Sequence, residues 1–414
     1  MIDVIVIGGG ASGLLAAGRL ASSGARVVLL EKNDIVGKKL LITGKGRCNV
    51  TNKCDVAGVI KNVVINGNFL YSSLYRFSPD DVIDFFESRG VNLKVERGNR
   101  VFPVSDKASD IVKALLNFCK DCGVKILNKA VYDLIYEGES VVGVKLKNQV
   151  ILCKNVIVAT GGMSYPQTGS TGDGYAWAKK AGHKISKILP SLVPIITVEK
   201  WPTLAQGLSL KNVKLTVIEK DKSIFSEQGE MLFTHFGISG PLVLSASSHI
   251  RNIENEKYKI ILDLKPALDY NKLNNRIVRE ISKFPNYDMI NILRKLLPAK
   301  LVEPIFSMLK LNDGFKANQF SKEQRKHLVE LLKNLTLTVK SFRSVKYAII
   351  TSGGIDVSEI NPKTMESKLK NGLYFIGEIL NVDGYTGGFN LQIAWSTAVA
   401  AADAIASKLK RGDN

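Results

Sequence analysis

No stretch of this 414-residue chain approaches the roughly 20 consecutive apolar residues that a bilayer-spanning helix needs, so spanning helices are not expected. Cysteine is scarce. The five residues, Cys48, Cys54, Cys119, Cys122 and Cys153, are odd in number and scattered, which argues against a disulfide framework. Cys119 and Cys122 form one C-x-x-C at the end of an expected helix over 111–122. With no second pair and four histidines in the whole chain, no metal site is expected. No charged leader precedes the first expected strand, 2–7, which runs straight into a glycine loop; the expected compartment is the cytoplasm. Low-complexity segments and repeats at solenoid periods are also missing.

Acidic residues are the minority charge, 38 against 57 basic, for a net +19. The excess is uneven. Residues 1–194 carry 26 basic and 16 acidic side chains, residues 195–345 carry 24 and 15, and residues 346–414 carry 7 and 7. A basic surface of this size attracts polyanions. Compositional drift is the plainer reading, since 43 of the 57 basic residues are Lys. Hydrophobic residues at 45% are those of a globular protein with a full core.

The continuous apolar run over 2–7 predicts a buried parallel strand, followed by a helix over 13–23 and a second strand over 26–30. Helices are expected over 79–90 and 111–122, a strand over 124–127, antiparallel hairpins over 130–153 and a buried strand over 155–159. Near residue 195 the texture changes to short strands (193–198, 213–219, 258–264), then to a helical stretch over 270–333 broken by Pro298 and Pro304. Strand character resumes over 346–376, and a last helix runs from Leu391 to about 409. One α/β core is therefore interrupted by an insert over about 195–345.

Gly8, Gly10 and Gly13 make G-x-G-x-x-G between strand and helix, with Glu31 closing the second strand. Gly8 permits a tight turn, Gly10 lets a pyrophosphate approach, Gly13 lets the helix pack closely, and Glu31 can accept from ribose hydroxyls. The helix N-terminus offers free N–H groups to phosphates. The choice of FAD over NAD rests on later elements. A strand ends at Gly377-Glu378, Gly387-Gly388 open the last helix, and the 158–162 stretch returns a strand to the cofactor through Thr160 and Gly161. A helix N-terminus at the pyrimidine edge of a flavin stabilises the negative charge that reduction places there.

TGKGRCNVTN at 43–52, THFGISGP at 234–241, TMESK at 364–368 and GEILNVDGYTGGFNLQ at 377–392 resemble the BaiN/RdsA-type NAD(P)/FAD-dependent oxidoreductase family, in the family's order and across almost the whole chain. Asn381 stands where Asp is common, and Ala398 where Gly is common. The resemblance implies a Rossmann-like FAD-binding domain (1–194 with 346–414), a β-barrel-like insert (195–268 with 334–345) and a helical insert (269–333). It places Arg47, Cys48 and Asn49 beside the FAD, flanked by Lys38, Lys39 and Lys45. Expected cofactor contacts extend to Ala11, Ser12, Lys32, Gly46 and Val131, and at the far end to Asp383, Phe389, Asn390 and Leu391.

Members of the family reduce conjugated C=C bonds, in bile-acid-type steroids or in a uracil of large-subunit ribosomal RNA. Three functions follow as expectations: a reductase making dihydrouridine in ribosomal RNA, a small-molecule ene-reductase or oxidase, and a flavin-containing RNA-binding factor without turnover. Cys48 is a candidate proton donor or a packing residue; His235, on a Gly-bounded turn of the insert, is the second candidate. Tyr165 and Asp173 are candidates for substrate contact, with Asp173 also suited to cap a helix from Tyr175. No second G-x-G-x-x-G follows a strand, so NAD(P)H is expected as a transient reductant.

Overall fold

A computed structural model describes residues 2–253 and 257–412. The chain divides into two compact units, Met1–Pro190 with Ala348–Asn414, and Ser191–Tyr347.

The first unit is built on a sheet whose parallel strands lie in the order Lys125–Asn128, Val27–Glu31, Ile2–Ile7, Val150–Val158 and Leu373–Phe375. Val4, Ile5 and Val6 have no exposed surface, as the unbroken apolar run requires of a strand covered on both faces. The helix Ala11–Ser22 follows the first strand, and its small residues set how closely it packs. A Cβ at Gly18 would lie 2.4 Å from the Phe118 ring of the helix Ala108–Asp121. The last helix, Phe389–Arg411, packs on the same first helix, and its Ala398 and Ala400–Ala402 are all fully buried.

The strand expected over 155–159 is longer, Val150–Val158. Its first half pairs antiparallel with Ser140–Lys145, which continues to Asp133–Glu137; its second half pairs parallel with Ile2–Ile7 and Leu373–Phe375. The first strand sends its chain one way across the sheet, towards Val27–Glu31. Its other neighbour belongs to the opposite half. The crevice beyond their carboxyl ends is a topological switch point, where doubly wound sheets bind ligands.

The second unit contains a closed six-stranded barrel, in the order Ile195–Thr197, Gly237–Ser239, Lys222–Thr234, Ser209–Glu219, Tyr258–Asp263 and Leu335–Phe342. Val213, Leu215 and Val217 alternate inwards with no exposed surface, as do Ile260 and Leu262. Closure leaves no open sheet edge. Between the last two barrel strands run the helices Tyr270–Lys283, Met289–Leu296, Ala299–Met308 and Lys322–Lys333. Pro304 does not break this stretch as expected. It lies inside Ala299–Met308, where it removes one backbone donor while its ring is buried. No helix among the described residues is long and apolar enough to cross a bilayer.

Candidate cofactor site

Three segments far apart in sequence meet at the switch point. A Cβ on Gly8 (φ 107°) would lie 2.5 Å from the Ala159 carbonyl oxygen, so the first turn lies directly against the end of the strand Val150–Val158. A Cβ on Gly377 (φ 73°) would lie 2.8 Å from Ser12 Oγ, which brings the end of the late strand to the N-terminus of the first helix. Gly388, left-handed at φ 100°, precedes the last helix and would place a Cβ 2.3 Å from the Thr51 carbonyl oxygen.

The two distinctive motifs are each other's partners. Trp395 Nε1 donates to the Val50 carbonyl (2.9 Å), Asn52 Nδ2 donates to the Gly387 carbonyl (3.0 Å), and Thr51 Oγ1 donates to Gln392 Oε1 (2.5 Å). The 48–52 segment is thus tied to the start of the last helix. Asn390 holds the preceding loop, accepting from Gly384 N (2.9 Å) and donating to the Gly384 carbonyl (2.8 Å). Phe389 is buried beneath that loop and Leu391 is half-buried. Asp383, also buried, accepts from Ser352 Oγ at 3.1 Å.

Whether the site suits a dinucleotide is tested by groups the protein leaves unfilled. A Cβ on Gly10 would meet no protein atom within 4 Å, so that glycine answers no packing need of the chain. Beside it, the first turn of the helix from Ala11 leaves N–H groups without intrahelical acceptors. Asn49 Oδ1 and Thr160 Oγ1 are buried without a hydrogen-bond partner, and buried polar atoms are rarely left so. The loop before Asn49 holds Gly44, Lys45, Gly46 and Cys48 at positive φ. Left-handed backbone at non-glycine residues is costly and collects at ligand sites. These features fit FAD at Gly10, Ala11, Ser12, Asn49 and Thr160.

Other side chains are already engaged within the protein. Glu31 Oε2 accepts from Gly9 N (2.7 Å), and Oε1 accepts from Asn33 N (2.8 Å) and Asn33 Nδ2 (2.7 Å), so this acid braces the glycine loop. Val131, half-buried, follows the strand Lys125–Asn128, whose Asn128 pairs with Glu31. Arg47 stacks over Phe102 at 4.1 Å and is ion-paired with Glu96 and with Asp106 (2.7 Å). Lys39 Nζ lies 2.6 Å from Glu378 Oε2 and 2.7 Å from Ser164 Oγ; Glu378 Oε1 accepts from Thr351 N at 2.9 Å. Gly161, at φ 70°, precedes this cluster. Lys32 pairs with Asp173 at 2.6 Å. Asp173 does not precede a helix at Tyr175 but is the first residue of Asp173–Lys180, with Gly172 at the cap.

Cys48 has no exposed surface, and burial pushes its thiol up to about 12. His235 is exposed in the barrel unit, on the turn between Lys222–Thr234 and Gly237–Ser239, with its ring edge-on to Phe236. Sequence reasoning missed Ser164 and Thr351, whose partnership spans 187 residues and leaves no local signal. It also missed Gly9. A Cβ there would lie 2.9 Å from Val36, and the run of three glycines was the available clue.

A doubly wound sheet with a glycine-rich first turn, a late strand and a last helix converging on one crevice defines a Rossmann-type FAD-dependent oxidoreductase. The chain belongs to the family described as HI0933-like protein Rossmann domain, matched over residues 2–404. It is 35% identical over 409 residues to a ribosomal RNA dihydrouridine synthase of Haemophilus influenzae, covering 96% of this chain and 97% of that one. It is 31% identical over 407 residues to a 3-dehydro-bile acid delta(4,6)-reductase of Clostridium scindens, covering 97% and 98%. Among solved structures, a 3-ketosteroid delta1-dehydrogenase of Sterolibacterium denitrificans shares the fold, with a TM-score of 0.51 at 14% identity over 98% of this chain and 99% of that one.

Proposed function

We propose that this chain reduces the C5–C6 double bond of a uracil in large-subunit ribosomal RNA to give dihydrouridine, in the cytoplasm. The observation that carries the reading is the whole-length similarity, 35% over 409 residues, to a protein named for that activity. Bound FAD supplies hydride chemistry, with NAD(P)H as the transient reductant.

The protein's own part is to hold, orient and protonate. Gly10 and the N–H groups of Ala11 and Ser12 would hold the pyrophosphate. Glu31 keeps lone pairs for the adenosine ribose beyond those that brace the loop. Thr160 and Asn49 offer their unpartnered oxygens to the cofactor. The N–H groups of Phe389, Asn390 and Leu391, at the start of the last helix, would stabilise negative charge on a reduced flavin bound there. Lys39, Glu378 and Ser164 fix the relation between the loops. Hydride added to one alkene carbon leaves an enolate-like anion, and the adjacent carbon takes a proton.

Of the two donor candidates we favour His235. A thiol as high as that of Cys48 is badly matched to proton transfer near neutral pH, whereas His235 stands exposed on its turn. His235→Ala should slow reoxidation of the reduced enzyme by substrate by about 10²-fold or more while reoxidation by oxygen stays unchanged. Cys48→Ala should leave both rates near wild type, and the reverse pattern would return the role to Cys48.

A steroid-like enone is the second reading, favoured by the 31% identity to the bile-acid reductase. Mass spectrometry of ribosomal RNA nucleosides, with and without the gene, separates the two. Loss of dihydrouridine supports the RNA substrate; unchanged content together with turnover of a steroid enone supports the other.

A further inference from the structure

We infer that the segment 60–76 is a docking strip for single-stranded RNA, in which a slot lined by Asn66, Asn68 and Phe69 takes one base and the stacked rings of Tyr71 and Tyr75 take its neighbours. The inference rests on the RNA reading above and names the surface that reading leaves unassigned.

The position of the strip comes from backbone pairing. Val63–Ile65 pairs antiparallel with Asp383–Gly384, Tyr385 N donates to the Asn62 carbonyl at 2.9 Å, and Asn66 Nδ2 donates to the Asn381 carbonyl at 2.8 Å. Residues 62–66 are therefore fastened along the loop that leads into the last helix, the loop assigned to the cofactor. The slot at 60–69 therefore borders that loop, and the helix with the two tyrosines follows directly in the chain.

The surface chemistry selects the partner. An open depression of about 370 Å³ is lined by Ile60, Val63, Phe69 and Val357 together with Asn66 and Asn68. Asn68 is exposed and has no side-chain hydrogen bond among the described residues. An aromatic ring beside an unpartnered amide suits the flat face and polar edge of a base.

On the helix Tyr71–Arg76, Tyr71 and Tyr75 are four residues apart, with ring centroids at 6.4 Å and planes within 13°. They are 46% and 71% exposed, so the pair is not core. Exposed parallel rings are the platform on which unpaired bases stack, whatever the sequence. No acidic residue occurs between Asp55 and Asp80, and Lys61 and Arg76 are exposed within that stretch. Of the bordering acids, Asp80 is paired with Lys53 at 2.5 Å and Asp81 is bonded to Ser78 at 2.6 Å. A strip with cations and no acid of its own fits a phosphate backbone.

The test uses the full-length flavoprotein and a single-stranded fragment of ribosomal RNA. Tyr71→Ser with Tyr75→Ser should keep the flavin and melting temperature of the wild type, yet lose RNA affinity by about 5- to 150-fold for each base unstacked. The slope of affinity against salt should not change. Tyr71→Trp with Tyr75→Trp should restore binding. Lys61→Gln with Arg76→Gln should instead flatten the salt slope by roughly 1 to 2. The inference is overturned if the serine pair binds RNA and forms dihydrouridine as the wild type does, or if it loses self-association or a protein partner while RNA affinity is unchanged. If the wild type itself forms no dihydrouridine in ribosomal RNA, the RNA reading fails first, a result distinct from either of these.

Discussion

A methyl group added at Gly13 would sit 1.9 Å from the Gly8 carbonyl oxygen, whereas one added at Gly10 meets no protein atom within 4 Å. The two glycines of one motif therefore answer to different demands, the fold and the ligand. Gly10→Val should purify as a colourless protein whose melting temperature matches that of flavin-stripped wild type. Gly13→Ala should lower that temperature even without flavin, since forcing atoms into a packed turn costs about 1–3 kcal/mol or more. Absorbance and thermal melts of both apo-proteins check this; full flavin in Gly10→Val would refute the pyrophosphate assignment. This distinction was legible in the spacing of Gly8, Gly10 and Gly13. The partners of Arg47 were not, because Glu96 and Asp106 are 49 and 59 residues away and only the folded chain brings them together. Nor did a cysteine beside a glycine-rich loop announce that it would be fully buried on left-handed backbone.

At the scale of elements, strands with unbroken apolar runs were readable, as Ile2–Ile7 shows. The barrel strand Lys222–Thr234 was not, because its middle carries the polar run 226–230 on a surface that closure leaves in solvent. The link between the TMESK segment and the core was equally hidden. His183, buried against the Phe375 ring, lies with Nδ1 3.1 Å from Glu359 Oε2 and Nε2 2.8 Å from Ser367 Oγ. Burial lowers its pKa, opposed by Glu359. The fold thus prefers neutral His183. Its contribution is fully present above the unfolded value of about 6.5 and is lost as pH falls through the lower folded value. Melting temperature should fall more steeply for wild type than for His183→Gln as pH drops below about 6.5. Parallel curves for the two proteins would show that His183 is not the group responsible.

For the whole molecule, the charge excess lies outside the last sixth of the chain: residues 346–414 carry 7 basic and 7 acidic side chains, and the rest carry 50 and 31. Composition alone left this open between function and drift. If the excess serves RNA, affinity for ribosomal RNA fragments should fall with salt along a log–log line, with a slope of roughly −0.7 per contacted phosphate on single strands. Charge reversal at lysines of residues 195–345 should weaken that binding and leave the flavin in place. A salt-independent affinity would assign the basicity to composition.

The central claim is a reduced flavoprotein that hands hydride to a uracil in ribosomal RNA. The most direct measurement is anaerobic mixing of the pre-reduced enzyme with large-subunit ribosomal RNA from cells lacking the gene, following the flavin absorbance and then the nucleosides by mass spectrometry. The account predicts return of the oxidised flavin spectrum with dihydrouridine formed in matching amount. Flavin that stays reduced with that RNA, yet is oxidised by a steroid enone, would contradict it.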